Sequence, residues 1–363
     1  MSQEMNRSDH MTENVTTDMV INRLPSRTWN WLKMNEASLV GIQKPEAENY
    51  KEKFAGNAEY DLAGEREKEI FDQIETALGK DMDGLGENIP VAVLEGTEEE
   101  KTEPVILNLT ADGHYGRYFL YAKRNSQMNV AVYCNSSEEE TRPFYLQLKI
   151  FGEENAKIQV TIVQTLGKQV SVFSDLGSVL EKNAALELVK MELGGKEVYS
   201  GASVELKGDR SSFKAHIGYL GEKDQHLDMN YIARHLGKKT ESLMESNGVL
   251  NENAFKLFRG TIDFVKGSVG AVGNESEDVL LLGDEVENQT IPLILCAEED
   301  VEGNHGASIG ELDEKTLFYL MSRGFTEEEA KKLIARSRLD AVAGMIGEPS
   351  VREKTLNYLE EHQ

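Results

Sequence analysis

His305 is the residue of this sequence best placed to bind a metal ion. It lies in the glycine- and alanine-rich run 304–310, between a strand-rich region and a helical C-terminal segment. A neutral imidazole binds iron, and a histidine in a turn between elements is open to a partner. A corner histidine that hydrogen-bonds backbone carbonyls in a tight turn would explain the same residue. The residues alone leave both interpretations open.

The two cysteines, Cys134 and Cys296, are too few to form a self-contained metal centre. The sequence has no CxxC motif, which excludes a structural zinc knuckle and a four-thiolate iron–sulfur site. Cys296 closes the apolar run 291–295 and is a weak candidate for a metal ligand. We expect it instead to be a buried cysteine that packs as a small hydrophobic residue. Any iron–sulfur chemistry would therefore need ligands from another chain.

Two further sets of polar residues have the right types for a metal site. His226 and Asp228 are two positions apart, so on a strand their side chains point to the same face. They would form a two-ligand site or a His–Asp hydrogen bond, but a polar ladder along the fold is the favoured interpretation. Without a known fold, His235 adds little evidence for a metal site at His226 and Asp228. The acidic run 298–300 would raise the pKa of His305 or attract ferrous iron if it lay close, although a solvated acidic turn is favoured.

Catalytic motifs are missing or out of context. The run 306–310 matches Gly-x-Ser-x-Gly around Ser308, but a hydrolase needs a βαβ sheet and a later histidine, and only His362 follows. His-Glu-x-x-His and the P-loop motif do not occur in the sequence. We therefore predict that the chain is not an enzyme, and that any ATP in its biology is hydrolysed by another protein.

Composition narrows the classes of partner. The chain has 363 residues, with 64 acidic against 39 basic side chains and a net charge of −25. Such a charge repels phosphate backbones and anionic lipid surfaces, so neither nucleic acid nor a membrane is expected as a partner. The sequence has no apolar window long enough to span a bilayer, and its N-terminus lacks the apolar core of a signal peptide. We expect a cytoplasmic protein.

The predicted secondary structure changes from helical to strand-rich near residue 89. From 89 to 310, short alternating or apolar runs such as 158–162 indicate strands, and glycine, asparagine or aspartate punctuates nearly every gap. Regular helical patterns do not separate these strands, which argues against a βαβ sheet. A sandwich, a barrel and a β-solenoid remain open. The solenoid is slightly favoured because Asn247-Gly248 is the only Asn-Gly hairpin signal in the sequence.

The region before residue 89 divides into two parts. Residues 1–20 are polar and mixed in charge, and we predict that they are disordered. Residues 21–88 are predicted to form a small helical segment, in which Trp29 and Trp31 either pack a subdomain or anchor a partner. A charged amphipathic helix is expected from 65 to 78.

The C-terminal region 311–363 is predicted to be a helical domain of three helices. Asp313 is a suitable N-cap for the first, Thr326 and Glu329 form a capping box for the second, and Ser350 is expected to cap the third. These helices are short and rich in charge. We therefore expect them to pack on the β body or on a partner.

Three stretches resemble the SufB/SufD family, the scaffold proteins of iron–sulfur cluster assembly. They are 224–235, with a Gln-His-x-Asp strand, 258–262, similar to the family's Phe-Arg-Gly-Lys-Ile rung with Thr261 in place of lysine, and 304–324, similar to its C-terminal signature. The chain departs from the SufD pattern at Gly303, where a cysteine is common. It also has no convincing counterpart of the cluster-ligating cysteine of SufB, so the resemblance is closer to SufD.

The resemblance implies a right-handed parallel β-helix over 89–310 and a scaffold role in a complex with a SufB-like subunit and a SufC-like ATPase. It also implies that His305 is a ligand of a nascent iron–sulfur cluster whose other ligands come from the partner. The last strands would pair edge to edge with SufB, or with a second copy in a homodimer. SufC would dock on residues of the helical tail, namely Leu312, Leu317, Phe318, Leu320, Met321, Arg323 and Leu333.

A carbohydrate-binding or carbohydrate-active β-solenoid is the alternative of a different class. Such a protein should show a secretion signal and a groove of aromatic residues with paired carboxylates. The sequence shows neither pattern, and the helical tail has no explanation in this class.

Overall fold

The computed structural model describes residues 16–28, 32–45, 55–56, 61–96, 104–110 and 115–362, so Trp29 and Trp31 lie outside the described residues. The strands are β1 Thr16–Ile21, β2 Ala37–Gln43, β3 Ala55–Gly56, β4 Asp61–Leu62, β5 Val91–Gly96, β6 Val105–Thr110, β7 Tyr115–Ala122, β8 Gln127–Asn135, β9 Phe144–Gly152, β10 Lys157–Thr165, β11 Ser171–Leu180, β12 Ala185–Glu192, β13 Glu197–Leu206, β14 Ser212–Gly221, β15 His226–His235, β16 Glu241–Leu250, β17 Phe255–Phe264, β18 Ala271–Leu281, β19 Glu287–Cys296 and β20 Val301–Gly310. The helices are α1 Glu65–Gln73, α2 Lys80–Leu85, α3 Glu314–Ser322, α4 Glu327–Ala343 and α5 Pro349–Glu361.

The strands from β5 to β20 alternate between two nine-stranded sheets. The odd sheet contains β5, β7 and so on to β19, the even sheet contains β6, β8 and so on to β20, and neighbouring strands of this series are parallel. At the first end of the two sheets, the short strand β4 pairs antiparallel with β5, and the short strand β3 pairs antiparallel with β6. Because the chain changes sheet after each strand, every pair of strands is one coil of a parallel β-solenoid. The predicted mainly-β fold with a parallel solenoid and C-terminal helices is confirmed.

Apolar side chains of both sheets fill the interior of the solenoid. In β12, Leu186 and Leu188 are buried, and in β13, Val198 and Val204 are buried in the same cluster. Parallel pairing in register places each inward position above another inward position, so the alternating pattern of one strand continues into the next coil. Each fully buried leucine or valine contributes about 1.5–3 kcal/mol, which makes this column the main source of stability.

Asparagines form a ladder along one corner of the solenoid. Asn125, Asn155 and Asn183 have φ values of 58°, 63° and 56°, in the left-handed region that asparagine tolerates. The Asn155 amide donates to Asn125 Oδ1 over 2.8 Å, and the Asn183 amide donates to Asn155 Oδ1 over 3.0 Å. These three asparagines are therefore corner residues that stack from coil to coil.

The N-terminal region packs on the outer face of the odd sheet. β1 and β2 pair antiparallel, and Met19 and Ile21 are buried against aromatic residues of the sheet that include Tyr145. The predicted disorder over 1–20 is therefore wrong for residues 16–20, because the strand that they form buries apolar side chains. The described part of the region 21–88 is not purely helical as predicted, because it contains the strands β2, β3 and β4 beside the helices α1 and α2.

Helix α1 is shorter than the sequence pattern predicts. The expected helix 65–78 ends at Gln73. The backbone N–H of Leu78 donates to Asp175 Oδ1 over 2.9 Å, and Asp175 is buried in the odd sheet. This contact holds the end of the predicted helix against the sheet, so tertiary packing overrides the helical periodicity there.

The three C-terminal helices are present, and two of them cover the even sheet. Buried residues of α4 and α5, such as Leu339 and Leu359, share a cluster with outward residues of the sheet. The capping box of Thr326 and Glu329 is present, but Glu348 caps α5 in place of Ser350, because Pro349 occupies the first turn. Among the described residues, no helix combines the length and apolar character needed to cross a membrane.

Candidate metal-binding site at the open end of the solenoid

The last coil of the solenoid is open. Among the described residues, β19 ends the odd sheet and β20 ends the even sheet, so each has a described strand neighbour on one side only. Inward side chains of these strands have no further coil above them, and Ile294 and Ile309 are 38% and 43% exposed. This end therefore presents unpaired backbone groups together with apolar side chains that other coils would bury.

His305 lies on the inward side of this last coil. Val301 is aligned with Ala271 and packs against the interior cluster, and His305 is four positions later on the same strand. The expectation that His305 lies in a turn is wrong, because the parallel ladder with β18 continues through it. Since no strand in the described part of the chain covers β20, the imidazole keeps 26% of its side-chain surface exposed.

Glu275 lies directly beneath His305 in the preceding coil. The two residues are aligned between β18 and β20, and His305 Nδ1 contacts Glu275 Oε2. The Glu275 side chain is only 2% exposed. Burial raises the pKa of this carboxyl, and the neighbouring His305 opposes that effect. An imidazole and a carboxylate at an open edge are ligand types that suit ferrous iron.

A second buried carboxylate, Glu277, lies beside this pair and is fully satisfied. Its Oε1 accepts hydrogen bonds from Lys256 Nζ over 2.6 Å and from the Tyr219 hydroxyl over 2.9 Å. Its Oε2 accepts from the Thr290 hydroxyl over 2.6 Å. Burial lowers the pKa of Lys256, and the Glu277 charge opposes this. We call the six residues the end cluster: Tyr219, Lys256, Glu275, Glu277, Thr290 and His305.

Cys296 lies on the same open end but is not buried. It is the last residue of β19, where it is aligned with Phe264, and it is exposed. The prediction that Cys296 is buried is therefore wrong, because no coil follows β19 among the described residues to cover its side chain. Cys296 lies at the end of its strand, whereas His305 lies in the middle of β20. Among the described residues, no three histidine, cysteine, aspartate or glutamate side chains converge on a ready-made metal site. Metal binding at His305 would therefore need ligands from outside the described residues.

The helical tail presents a second exposed apolar surface. α3 has no buried residue, and Phe318, Tyr319 and Met321 are 75%, 54% and 45% exposed. The Arg323 guanidinium lies 5.1 Å from the centre of the Tyr319 ring. Of the remaining predicted docking residues, Leu333 is exposed, Leu317 and Leu320 are half-buried, and Leu312 packs against the cluster beneath α4 and α5.

Residues 105–338 match the sequence model of a family described as the SufBD core domain of SUF-system FeS cluster assembly. The chain belongs to the SufBD family. The matched region contains the whole end cluster and α3. The chain is 24% identical over 232 residues to the iron–sulfur cluster assembly protein SufD of Bacillus subtilis, covering 64% of this chain and 53% of that protein. The chain is 25% identical over 247 residues to the iron–sulfur cluster assembly protein SufB of the same organism, covering 68% of this chain and 51% of that protein.

A SufBD family protein of Mycobacterium bovis is 27% identical over 197 residues, covering 54% of this chain and 23% of that protein. The chain therefore spans about half the length of the Bacillus relatives and about a quarter of the mycobacterial one. SufBD membership leaves the carbohydrate-active alternative without support.

The predicted His226–Asp228 pair has a structural role in this SufBD chain. Asp228 pairs with Arg259 through both carboxylate oxygens, and the Asn22 amide donates to Asp228 Oδ1 over 2.6 Å. The His226 ring contacts the Phe255 ring edge-on, with centroids 4.4 Å apart. Both oxygens of Asp228 are engaged in contacts within the fold, which favours the structural interpretation of this pair over a metal site.

His235 and the acidic run are also structural. His235 Nδ1 and Nε2 lie 2.7 Å and 2.9 Å from the hydroxyls of Thr240 and Ser242, and burial lowers its pKa to about 4. In the acidic run, Glu298 Oε2 accepts the backbone N–H of Gly267 over 2.9 Å, so Glu298 caps a turn. Ser308 lies within β20 rather than at a strand–helix turn, which removes the hydrolase interpretation.

Glu275, Glu277 and Lys256 were not predicted from the sequence. A signal for Glu275 was available, because Glu275 and His305 are 30 residues apart, the same separation as the laddered Asn125 and Asn155. That signal becomes usable only when the length of a coil is known.

Proposed function

We propose that this chain is a SufD-like scaffold subunit of an iron–sulfur cluster assembly complex, without catalytic activity of its own. The observation that carries the proposal is the inward-facing His305 on an uncovered last coil of a SufBD core. At that position an imidazole can contribute one ligand to a nascent cluster. The cluster is cargo that passes through the site, and thiolates of a partner supply the other ligands. The complex is expected to act in the cytoplasm.

The partner at the open end is a SufB-like subunit. Its own last strands would continue the ladders of β19 and β20, which satisfies backbone groups that are otherwise unpaired. The exposed side chains of Ile294 and Ile309 would be buried in the same contact. Cys296 lies at this contact and is a weaker candidate for a further ligand. A second copy of this chain could use the same edge, which makes a homodimer the competing outcome.

A SufC-like ATPase is proposed to dock on the helical tail. The exposed Phe318 and Met321 provide an aromatic and a flexible apolar anchor, and Arg323 lies beside Tyr319 at the end of the same helix. Because the tail follows β20 directly, movement of a docked ATPase would be transmitted to the open end. ATP-driven dimerisation of the ATPase would then open the seam at which the cluster is assembled.

Co-expression with SufB-like and SufC-like subunits tests the proposal. We expect light scattering to detect a heteromeric complex, and anaerobic reconstitution to load iron and sulfide onto it. His305→Ala should lower the cluster yield without dissolving the complex. His216→Ala, which changes a histidine on the outer face of the even sheet, is the control and should not alter the yield. Failure to associate would contradict the scaffold role, and an unchanged yield in His305→Ala would contradict the ligand role alone.

A further inference from the structure

Glu275 is a buried carboxylate whose one hydrogen-bond partner among the described residues is His305. Its Oε2 contacts His305 Nδ1, while its Oε1 is buried without a hydrogen-bond partner. The adjacent Glu277 differs, because three side chains donate to it. A buried carboxylate that is only half satisfied costs stability. Glu275 therefore does not serve the packing of the solenoid, and its single contact is directed at the candidate ligand.

We propose that Glu275 is a positioning residue that holds the proton of His305 on Nδ1 and so presents Nε2 as the metal-binding atom. A metal-binding histidine commonly donates its other ring N–H to a carboxylate, which fixes the tautomer and the ring orientation and makes the ligand nitrogen more basic. The inference rests on the proposed function for the identity of the bound group. The tautomer and orientation themselves are properties of this chain.

The position of the two residues supports this arrangement. Glu275 lies below His305 in the stack, so a ring that contacts it through Nδ1 has Nε2 on the opposite side, towards the open end. Among the described residues, Nε2 of His305 has no hydrogen-bond partner. A metal ion that approaches from the open end would meet this nitrogen first.

Gly260 on the facing sheet leaves room for the carboxylate. A Cβ atom at residue 260 would lie 2.8 Å from both Cδ and Oε1 of Glu275, closer than such atoms approach. The glycine therefore allows the carboxylate to lie under His305 rather than against a side chain. Gly260→Ala provides a way to displace the carboxylate without changing its charge.

The test uses the full chain labelled with 15N-histidine and without partners, with Co²⁺ alone as the probe. We expect nitrogen NMR to find His305 protonated on Nδ1 in the wild type, with the signal assigned by its loss in His305→Gln. Glu275→Gln should lose this preference and weaken Co²⁺ binding at His305 by about 10- to 100-fold. Gly260→Ala should change both readouts in the same direction.

Glu245→Gln is the matched control. His216 Nδ1 lies 3.0 Å from Glu245 Oε2 on the outer face of the same sheet, so this variant removes a histidine-paired carboxylate away from the open end. It should change neither the tautomer of His305 nor its affinity for Co²⁺. Equal weakening by Glu245→Gln and Glu275→Gln would overturn the proposal.

Two other results would also overturn it. One is a wild-type His305 that carries its proton on Nε2. The other is a pair of folded Glu275→Gln and Gly260→Ala variants that both keep the wild-type tautomer and affinity. Neither result depends on cluster assembly in the complex. If the tautomer is as expected but His305→Ala leaves the cluster yield unchanged, the ligand role in the proposed function fails while the role of Glu275 stands.

Discussion

The Asp228 carboxylate and the Arg259 guanidinium form an ion pair that is buried beneath the N-terminal region. Arg259 has no exposed surface, and its Nε donates to the backbone carbonyl of Met34 over 2.8 Å. Asn22 donates to the same carboxylate. The pair therefore joins β15 and β17 of the odd sheet to the segment that packs over them.

Removal of one partner of this pair should destabilise the chain strongly. Asp228→Ala leaves the buried Arg259 charge uncompensated, and we expect the free energy of unfolding to fall by about 3–5 kcal/mol. Urea denaturation measures the loss. Lys207→Ala is the control, because Lys207 is more than half exposed in its pair with Glu181 and should cost less than about 1 kcal/mol. Equal effects of the two substitutions would contradict the buried role of Asp228.

The buried His235 should make stability depend on pH. Burial lowers its pKa to about 4, so as the pH falls below about 6.5 the unfolded chain takes up a proton that the folded chain does not. The stability is fully present above this range and declines towards pH 4. We expect His235 to remove about 2 kcal/mol between pH 7 and pH 5.

The measurement compares urea denaturation of the wild type and His235→Gln at several pH values. Carboxylates that titrate in the same range are shared by both proteins and cancel in the difference. The variant should lose less stability than the wild type between pH 7 and pH 5. An identical pH dependence of the two proteins would show that His235 is not buried as a neutral ring.

The two cysteines should react very differently with a thiol reagent. Cys296 is exposed at the end of β19, whereas Cys134 is 1% exposed and burial raises its pKa. We expect one thiol per native chain to react rapidly and a second to react after unfolding. Cys296→Ser should abolish the rapid reaction. Rapid reaction of both thiols, or of neither, would contradict the open end of the solenoid.

Phe318 should contribute to docking and not to the stability of the chain. Its side chain is 75% exposed on α3, so Phe318→Ala should change the free energy of unfolding by no more than about 0.5 kcal/mol. The same change should weaken binding of a SufC-like ATPase by about 30-fold, as expected for an aromatic anchor worth about 2 kcal/mol. Calorimetric titration measures the affinity. Leu339→Ala, at a buried position of α4, is the contrasting variant and should cost about 2–5 kcal/mol in stability. Unchanged ATPase affinity in Phe318→Ala would remove α3 from the docking surface.

Much of the fold could be predicted, because the relevant signals are local. Alternating apolar residues and corner asparagines such as Asn155 depend on neighbours within one strand or turn, and the capping box at Thr326 depends on four consecutive residues. The predictions failed where contacts between distant segments decide the outcome. Residues 16–20 were expected to be disordered, but they form a strand because Met19 is buried against the odd sheet.

Periodicity, capping residues and the resemblance of the last stretch to the SufB/SufD family were enough to predict the class of fold and the helical tail, and to single out His305 as a candidate ligand. The surroundings of His305, by contrast, follow from contacts between coils. Glu275 and His305 are 30 residues apart and meet because one coil brings the chain back in register above itself. The same stacking buries Glu277 and leaves Cys296 exposed, since burial in a solenoid depends on whether another coil follows. That is a property of the assembled stack, and the local pattern around a residue does not contain it.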